Sequence, residues 1–257
     1  MQENPISNSL SKTDSNEASN PIRSLMPFRY GPLCYAIVDV EIGLTDHGLR
    51  HLTFGMTRKA LPRFLADVRA AREKFPEVRV YAGLECNFLP SGETDLTEDA
   101  AELLDITVCG YHKLVRGAMS ALLANTFSKN SARTLARNTD MYVRALERYD
   151  IDIISHPQHD CRIDLRAVGE VAAAKGTYIE LNGKHRDMTS DELVMLADLG
   201  CEFVMDSDAH SPARVGDVAL QVAAMEEAGL PMTLVANWDR LPVFRSGGAH
   251  GNAERTG

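Results

Sequence analysis

Residues 203 to 216 read FVMDSDAHSPARVG. The apolar run Phe203 to Met205 predicts a buried strand that passes into Asp208 and His210, and residues two apart in an extended chain project to the same side. A carboxylate and an imidazole delivered together at a strand end suit a hard or borderline divalent cation. The competing reading is a solvated Asp-rich loop with a chance histidine. What the other strand ends carry decides between them.

Upstream, an apolar segment from Leu33 to Val40 leads into EIGLTDHG at 41 to 48, where a strand from Glu41 to Thr45 brings His47 to its C-terminal end. Leu61, Phe64, Leu65, Val68 and Phe75 then recur at helical spacing behind Pro62. Val78 to Leu84 is strand-like and ends in Glu85, with a turn at 89 to 92. A short helix over 97 to 104 precedes a strand at 106 to 109 followed by His112. The segment from Gly117 to Asn130 is ambiguous. A helix over 131 to 149 leads to a strand at 151 to 155 ending in His156. Asp164 can cap a helix over 165 to 175 that Gly176 ends, and a strand at 178 to 181 ends in Asn182. Thr189 and Glu192 have capping-box spacing ahead of the helix before the opening stretch. A helix over 217 to 228 and a last strand over 232 to 236 complete the pattern.

Alternating strands and helices imply a parallel sheet covered by helices, either open and doubly wound or closed as a barrel, and in barrels the working residues come from the C-terminal strand ends. Here those ends supply His47, Glu85, His112, His156, Asn182, Asp208 and His210, nearly all good metal ligands. One such placement is a coincidence; five successive ones are a pattern. His51, His159, His185 and His250 close no strand and read as ordinary loop histidines.

Composition narrows the function. A chain of 257 residues with 44% apolar content can bury one large core. A net charge of -9 argues against an extended nucleic-acid surface, which needs clustered Lys and Arg. Five cysteines with no CxxC spacing read as reduced thiols of a cytoplasmic protein, and no apolar run is long enough to span a membrane. Residues 1–29 read as a disordered tail, 30–240 as the barrel domain and 241–257 as a flexible C-terminal tail.

TDHG at 45 to 48, GLE at 83 to 85, His112, ISHP at 154 to 157 and SDAH at 207 to 210 together resemble the ordered motifs of the PHP (polymerase and histidinol phosphatase) family over about residues 36 to 237. The resemblance implies an α/β fold, a distorted TIM-like (β/α)7 barrel, with one to three zinc, manganese or iron ions. It implies that Glu85 bridges two ions, that His112 and His156 complete one of them, that His47 and His210 serve a third, and that Asp208 serves the ion on the other side of Glu85. Asp208 and His210 are the implied catalytic residues, acting where a metal-bound water is acidified to hydroxide for attack on a small phosphorylated substrate. Arg214 and Arg116 are candidates to hold its phosphate, with Lys113, Lys184 and Arg186 behind them. Histidinol-phosphatase-like phosphoesterases fit this length better than polymerase-attached modules.

One feature departs from the family. Its members open with an HxH pair on the first strand, whereas residues 1 to 46 hold no histidine, so the first strand is either lacking or replaced. Three readings are open: an enzyme with a reduced metal set, a metal- or ligand-binding protein without turnover, or a product of an altered reading frame. A nuclease or DNA-repair phosphodiesterase is a further alternative, disfavoured by the absence of a dense basic cluster.

Overall fold

A computed structural model of the chain describes residues 41 to 244 together with the backbone of residues 33 to 37. The tail expected over 1–29 lies outside the described residues, as do 245–257, including His250.

Seven strands form one curled sheet in sequential order: β1 Leu33–Ile37, β2 Glu41–His47, β3 Arg79–Asn87, β4 Ile106–Gly110, β5 Ile153–Ile154, β6 Tyr178–Asn182 and β7 Phe203–Asp206. Strands β2 to β7 are parallel, and helices in the connections cover the outer face. These are α1 Leu61–Lys74, α2 Glu98–Ala101, α3 Met119–Phe127, α4 Ala132–Arg148, α5 Leu165–Lys175, α6 Ser190–Asp198 and α7 Ala219–Ala228. The α/β, TIM-like reading holds. β1 runs antiparallel to β2, with Leu33 opposite Thr45 and Ile37 opposite Glu41, and it also approaches β7.

Side-chain alternation divides each strand between two environments. Ile42, Leu44, Val80, Ala82, Leu84, Ile179, Leu181, Phe203 and Met205 enter the large core that also takes Phe64 and Val68 of α1 and Leu193 and Leu196 of α6. The opposite face begins apolar, with Ile106, Val108, Ile153, Tyr178 and Val204 in a separate buried cluster. It turns polar toward the strand ends, where Glu85, Asn87, Ser155, Glu180, Asn182 and Asp206 are buried. The inner face is thus an apolar floor beneath a polar mouth, and register sets His47 beside Glu85 and Asn182 beside Asp206.

Local signals explain the helix ends. Asp164 accepts from the N–H groups of Arg166 and Ala167, Gly176 ends α5 in the left-handed conformation, and Thr189 with Glu192 forms a complete capping box. The ambiguous 117 to 130 segment contains α3. The strand expected over 232 to 236 does not form: Met232–Leu234 is a 3-10 turn, with a single bridge from Val235 to Phe203. The physical reason is Asn237, whose amide accepts from Met205 N–H at 2.9 Å and donates to Met205 C=O at 2.6 Å. One side chain therefore does for the β7 edge what another strand would do. The cysteines at 86, 109, 161 and 201 are free and buried, and no helix among the described residues is long and apolar enough to cross a membrane.

Asp164→Ala removes the oxygen that accepts from two helix N–H groups while burying nothing new. It should lower stability by about 1 kcal/mol, read as a shifted urea midpoint with an unchanged slope; an unchanged midpoint would show that this cap contributes nothing.

Candidate metal centre

The centre is built on Glu85, whose carboxylate is buried at 2% exposure on β3. His112 Nε2 and His156 Nε2 each lie 3.1 Å from Glu85 Oε1, and the two nitrogens are 3.3 Å apart. On the other side His47 Nδ1 is 3.5 Å from Oε2. His47, Glu85 and His112 offer ligand atoms within 4.8 Å of one another. Three predicted histidine ligands, from the ends of β2 and β5 and the loop after β4, therefore converge on one carboxylate.

Supporting contacts fix these rings. His112 Nδ1 lies 2.8 Å from Asn87 Oδ1, and Asn87 is itself held by Asp95 through its backbone N–H at 2.7 Å and its amide at 2.6 Å. With Nδ1 against Asn87 Oδ1, the ring turns its Nε2 toward Glu85 and His156. Ser155 Oγ donates to Glu85 Oε1 at 2.7 Å, with Glu180 at 3.2 Å, and the His156 N–H donates to Glu180. Two glycines make room: a Cβ on Gly110 would lie 3.0 Å from His156 Cε1, and one on Gly48 would lie 2.5 Å from Asp95 Oδ1. Both flank ligands, which explains the glycine after His47 in TDHG.

Backbone strain marks the same places. His156 and Asp208 have φ of +30° and +42°, a region that side-chain-bearing residues avoid unless their surroundings hold them there. Asp208 receives three contacts that do so: its N–H donates to Asp206 Oδ1 at 2.8 Å, and its Oδ2 lies 3.3 Å from the Asn182 amide and 3.2 Å from Lys184 Nζ.

Electrostatics favour the ligating forms of Glu85 and His47. Burial pushes the Glu85 carboxyl up, but the charges and hydrogen bonds of His112 and His156 outweigh it and hold the group well below its ordinary value. Burial, against the pull of Glu85, lowers His47 to about 4, so its imidazole is neutral. Burial also opposes charge on His156, yet its hydrogen bond to Glu85 and the nearby carboxylates push it up to about 9. Burial, with Glu180 and Asp208 adding to it, drives Asp206 upward.

The remaining predicted residues lie further out. His210 is half-exposed, with Nδ1 3.4 Å from Asp208 Oδ1 and its ring 6.5 Å from that of His47, so Asp208 and His210 form a second lobe beside the Glu85 cluster. Lys184 joins that lobe, within hydrogen-bonding distance of His210. Arg214 donates to the Gly183 carbonyl at 3.0 Å while its Nε is buried without a partner. Arg116 is exposed in the loop after His112. His51 stacks on His47 with centroids 5.0 Å apart, and its Nδ1 accepts from the Phe54 N–H. Sequence reasoning missed Glu180, Asp206 and Asp95. The first two had a signal, since each stands two residues before a predicted strand-end residue and so on the same face. Asp95, in a turn distant from any strand, had none.

The fit of a metal can be judged from the donor set. Tetrahedral coordination with bonds of about 2.0–2.1 Å places neighbouring ligand atoms about 3.3 Å apart. The mutual distances of Glu85 Oε1, His112 Nε2 and His156 Nε2 match that edge. Glu85 Oε2, His47 Nδ1 and Asp208 Oδ1 are buried and lack hydrogen-bond partners. Buried polar atoms left in this way are costly, and a cation removes the cost.

No family model matches the chain. It is 28% identical over 209 residues, covering 76% of this chain and 75% of the relative, to a protein named probable phosphatase from Shewanella sediminis. It is 24% identical to the DNA polymerase/3'-5' exonuclease PolX of Bacillus subtilis over 71% of this chain and 31% of that protein. In fold it is similar to the crystal structure of histidinol phosphate phosphatase from Lactococcus lactis, complexed with zinc, L-histidinol and phosphate. That match has a TM-score of 0.54 and 11% identity over 80% of this chain and 86% of the other.

If Glu85 holds the proton on His156, metal-free protein carries stability that is fully present below pH 6.5 and lost as pH rises through about 9. Glu85→Gln should reduce that loss, leaving the part that Glu180 and Asp208 sustain, measured by urea unfolding of chelator-treated protein at about pH 6 and about pH 9.5. The same pH dependence in both proteins would overturn the assignment.

Sequence relatives and fold neighbours together bear out the resemblance of this chain to PHP-family phosphoesterases.

Proposed function

We propose that the protein is a metal-dependent phosphoesterase that hydrolyses a small phosphate monoester, in the manner of histidinol phosphate phosphatases. The observation that carries this reading is the tetrahedral spacing of Glu85, His112 and His156. These three would hold one ion, with Glu85 also serving its neighbour. His47 and His210 would serve another, and Asp208 the position on the far side of Glu85. Divalent ions in such a set, whether zinc, manganese or iron, acidify a water near neutral pH and neutralise charge building on a phosphoryl group.

The chain's own residues do the positioning. Asn87 and Asp95 orient His112, while Ser155 and Glu180 orient Glu85 and His156. Arg214, with its unpartnered Nε, Arg116 and Lys184 are the proposed phosphate-holding groups. A cleft of about 400 Å³ is lined by Tyr111 and Lys113, which flank His112 in the chain, and by Lys129, Asn130, Gln158 and Arg162 among others. It is of small-molecule size and basic in lining, and it brings residues of the 117 to 130 segment beside those at 158 to 162.

Protein purified without chelator should carry at least one transition metal by elemental analysis and hydrolyse a small phosphate monoester such as p-nitrophenyl phosphate. Glu85→Gln should abolish turnover. Asn87→Ala, which removes only the support of His112, should lower metal affinity or activity by roughly 10–100-fold. A metal-free protein that turns over substrate equally well would sink the reading.

A further inference from the structure

We propose that His159, His185 and Asp187 form a second divalent-cation site, for a borderline transition ion such as Zn²⁺, beside the Glu85 centre and separate from it. Its three side chains each offer a ligand atom within 4.8 Å of the other two. His159 Nδ1 is 3.0 Å from Asp187 Oδ2, and the rings of His159 and His185 lie stacked with centroids 3.9 Å apart. Two imidazoles and a carboxylate are a donor set suited to zinc and similar ions. The expectation that these are ordinary loop histidines treats each alone, whereas the fold brings together two loops that are 26 residues apart in sequence.

Both loops are held in place before any ion arrives. His159 lies between Gln158 and Asp160, whose φ values are +76° and +53°, and the Gln158 amide accepts from Ile163 N–H at 3.0 Å and donates to Glu192 at 3.3 Å. The N–H groups of Lys184 and His185 both donate to Asn182 Oδ1, at 2.8 and 3.1 Å. Asp187 stands just before the capping box of α6. Asp160, the other carboxylate near His159, is already paired with Lys113 at 2.8 Å.

The location gives the site a use. His185 and Asp187 line one cleft with His156, Glu180 and Asn182, and the His159 ring is 5.5 Å from that of His156. Three protein ligands leave a coordination position open to an outside oxygen donor. An anionic group entering the cleft could occupy it without displacing a ligand of Glu85.

The test counts metal ions and needs no turnover, so its outcome is independent of the phosphoesterase reading. Full-length Glu85→Gln/His112→Ala protein, stripped by chelator and dialysed against Zn²⁺, should retain at least one equivalent by elemental analysis. Adding His159→Ala or Asp187→Asn should lower that content by one equivalent, and the intense visible absorption of Co²⁺ in tetrahedral sites should fall with it. Asp187→Asn preserves side-chain shape, and circular dichroism of each variant checks folding. If the double variant holds no zinc, or holds it equally after both additions, the site does not exist.

Discussion

The buried carboxylate of Glu85 is the constraint around which the polar mouth of the sheet is arranged. An ion this far from water costs several kcal/mol unless neighbours satisfy it. Glu85 has Ser155, His112 and His156 on one oxygen and His47 facing the other, delivered by the end of β2, the loop after β4 and the end of β5. The strands must therefore be in register for any of them to reach. With that register fixed, the apolar residues one step earlier on the same face fall into the floor cluster.

A second set of contacts holds what Glu85 does not touch. Glu180 receives the His156 N–H and shares the Ser155 hydroxyl, and Asn182 links Glu180 to Asp208. This chain of polar contacts crosses from β5 to the β7 loop and stabilises two left-handed backbone positions, at His156 and Asp208. Strained residues persist only where the surroundings over-determine them, and here both carry side chains that converge on the same mouth.

Much of this was legible in sequence because it depends on local rules. The period of two along β2, β3 and β7 and the period near 3.6 along α1 are set by backbone geometry, so the alternation and the strand-end ligands could be read directly. The caps at Asp164 and Thr189 and the stop at Gly176 were equally local. Other features were not. Asn237 replaces a strand at the β7 edge by bonding across 32 residues, and no local pattern announces that. Asp95 supports His112 through Asn87 from a turn whose place in space depends on the whole sheet.

By itself, then, the sequence determined the alternating α/β architecture and the placement of histidines and carboxylates at the strand ends, because each follows from side-chain chemistry at fixed spacing. Only the tertiary structure decided the direction of β1, the grouping of His47, His112 and His156 on the two oxygens of Glu85, and the set-apart position of His210. It also brought His159 beside His185. These are distances between residues remote in the chain, and they are fixed by strand register and sheet curvature.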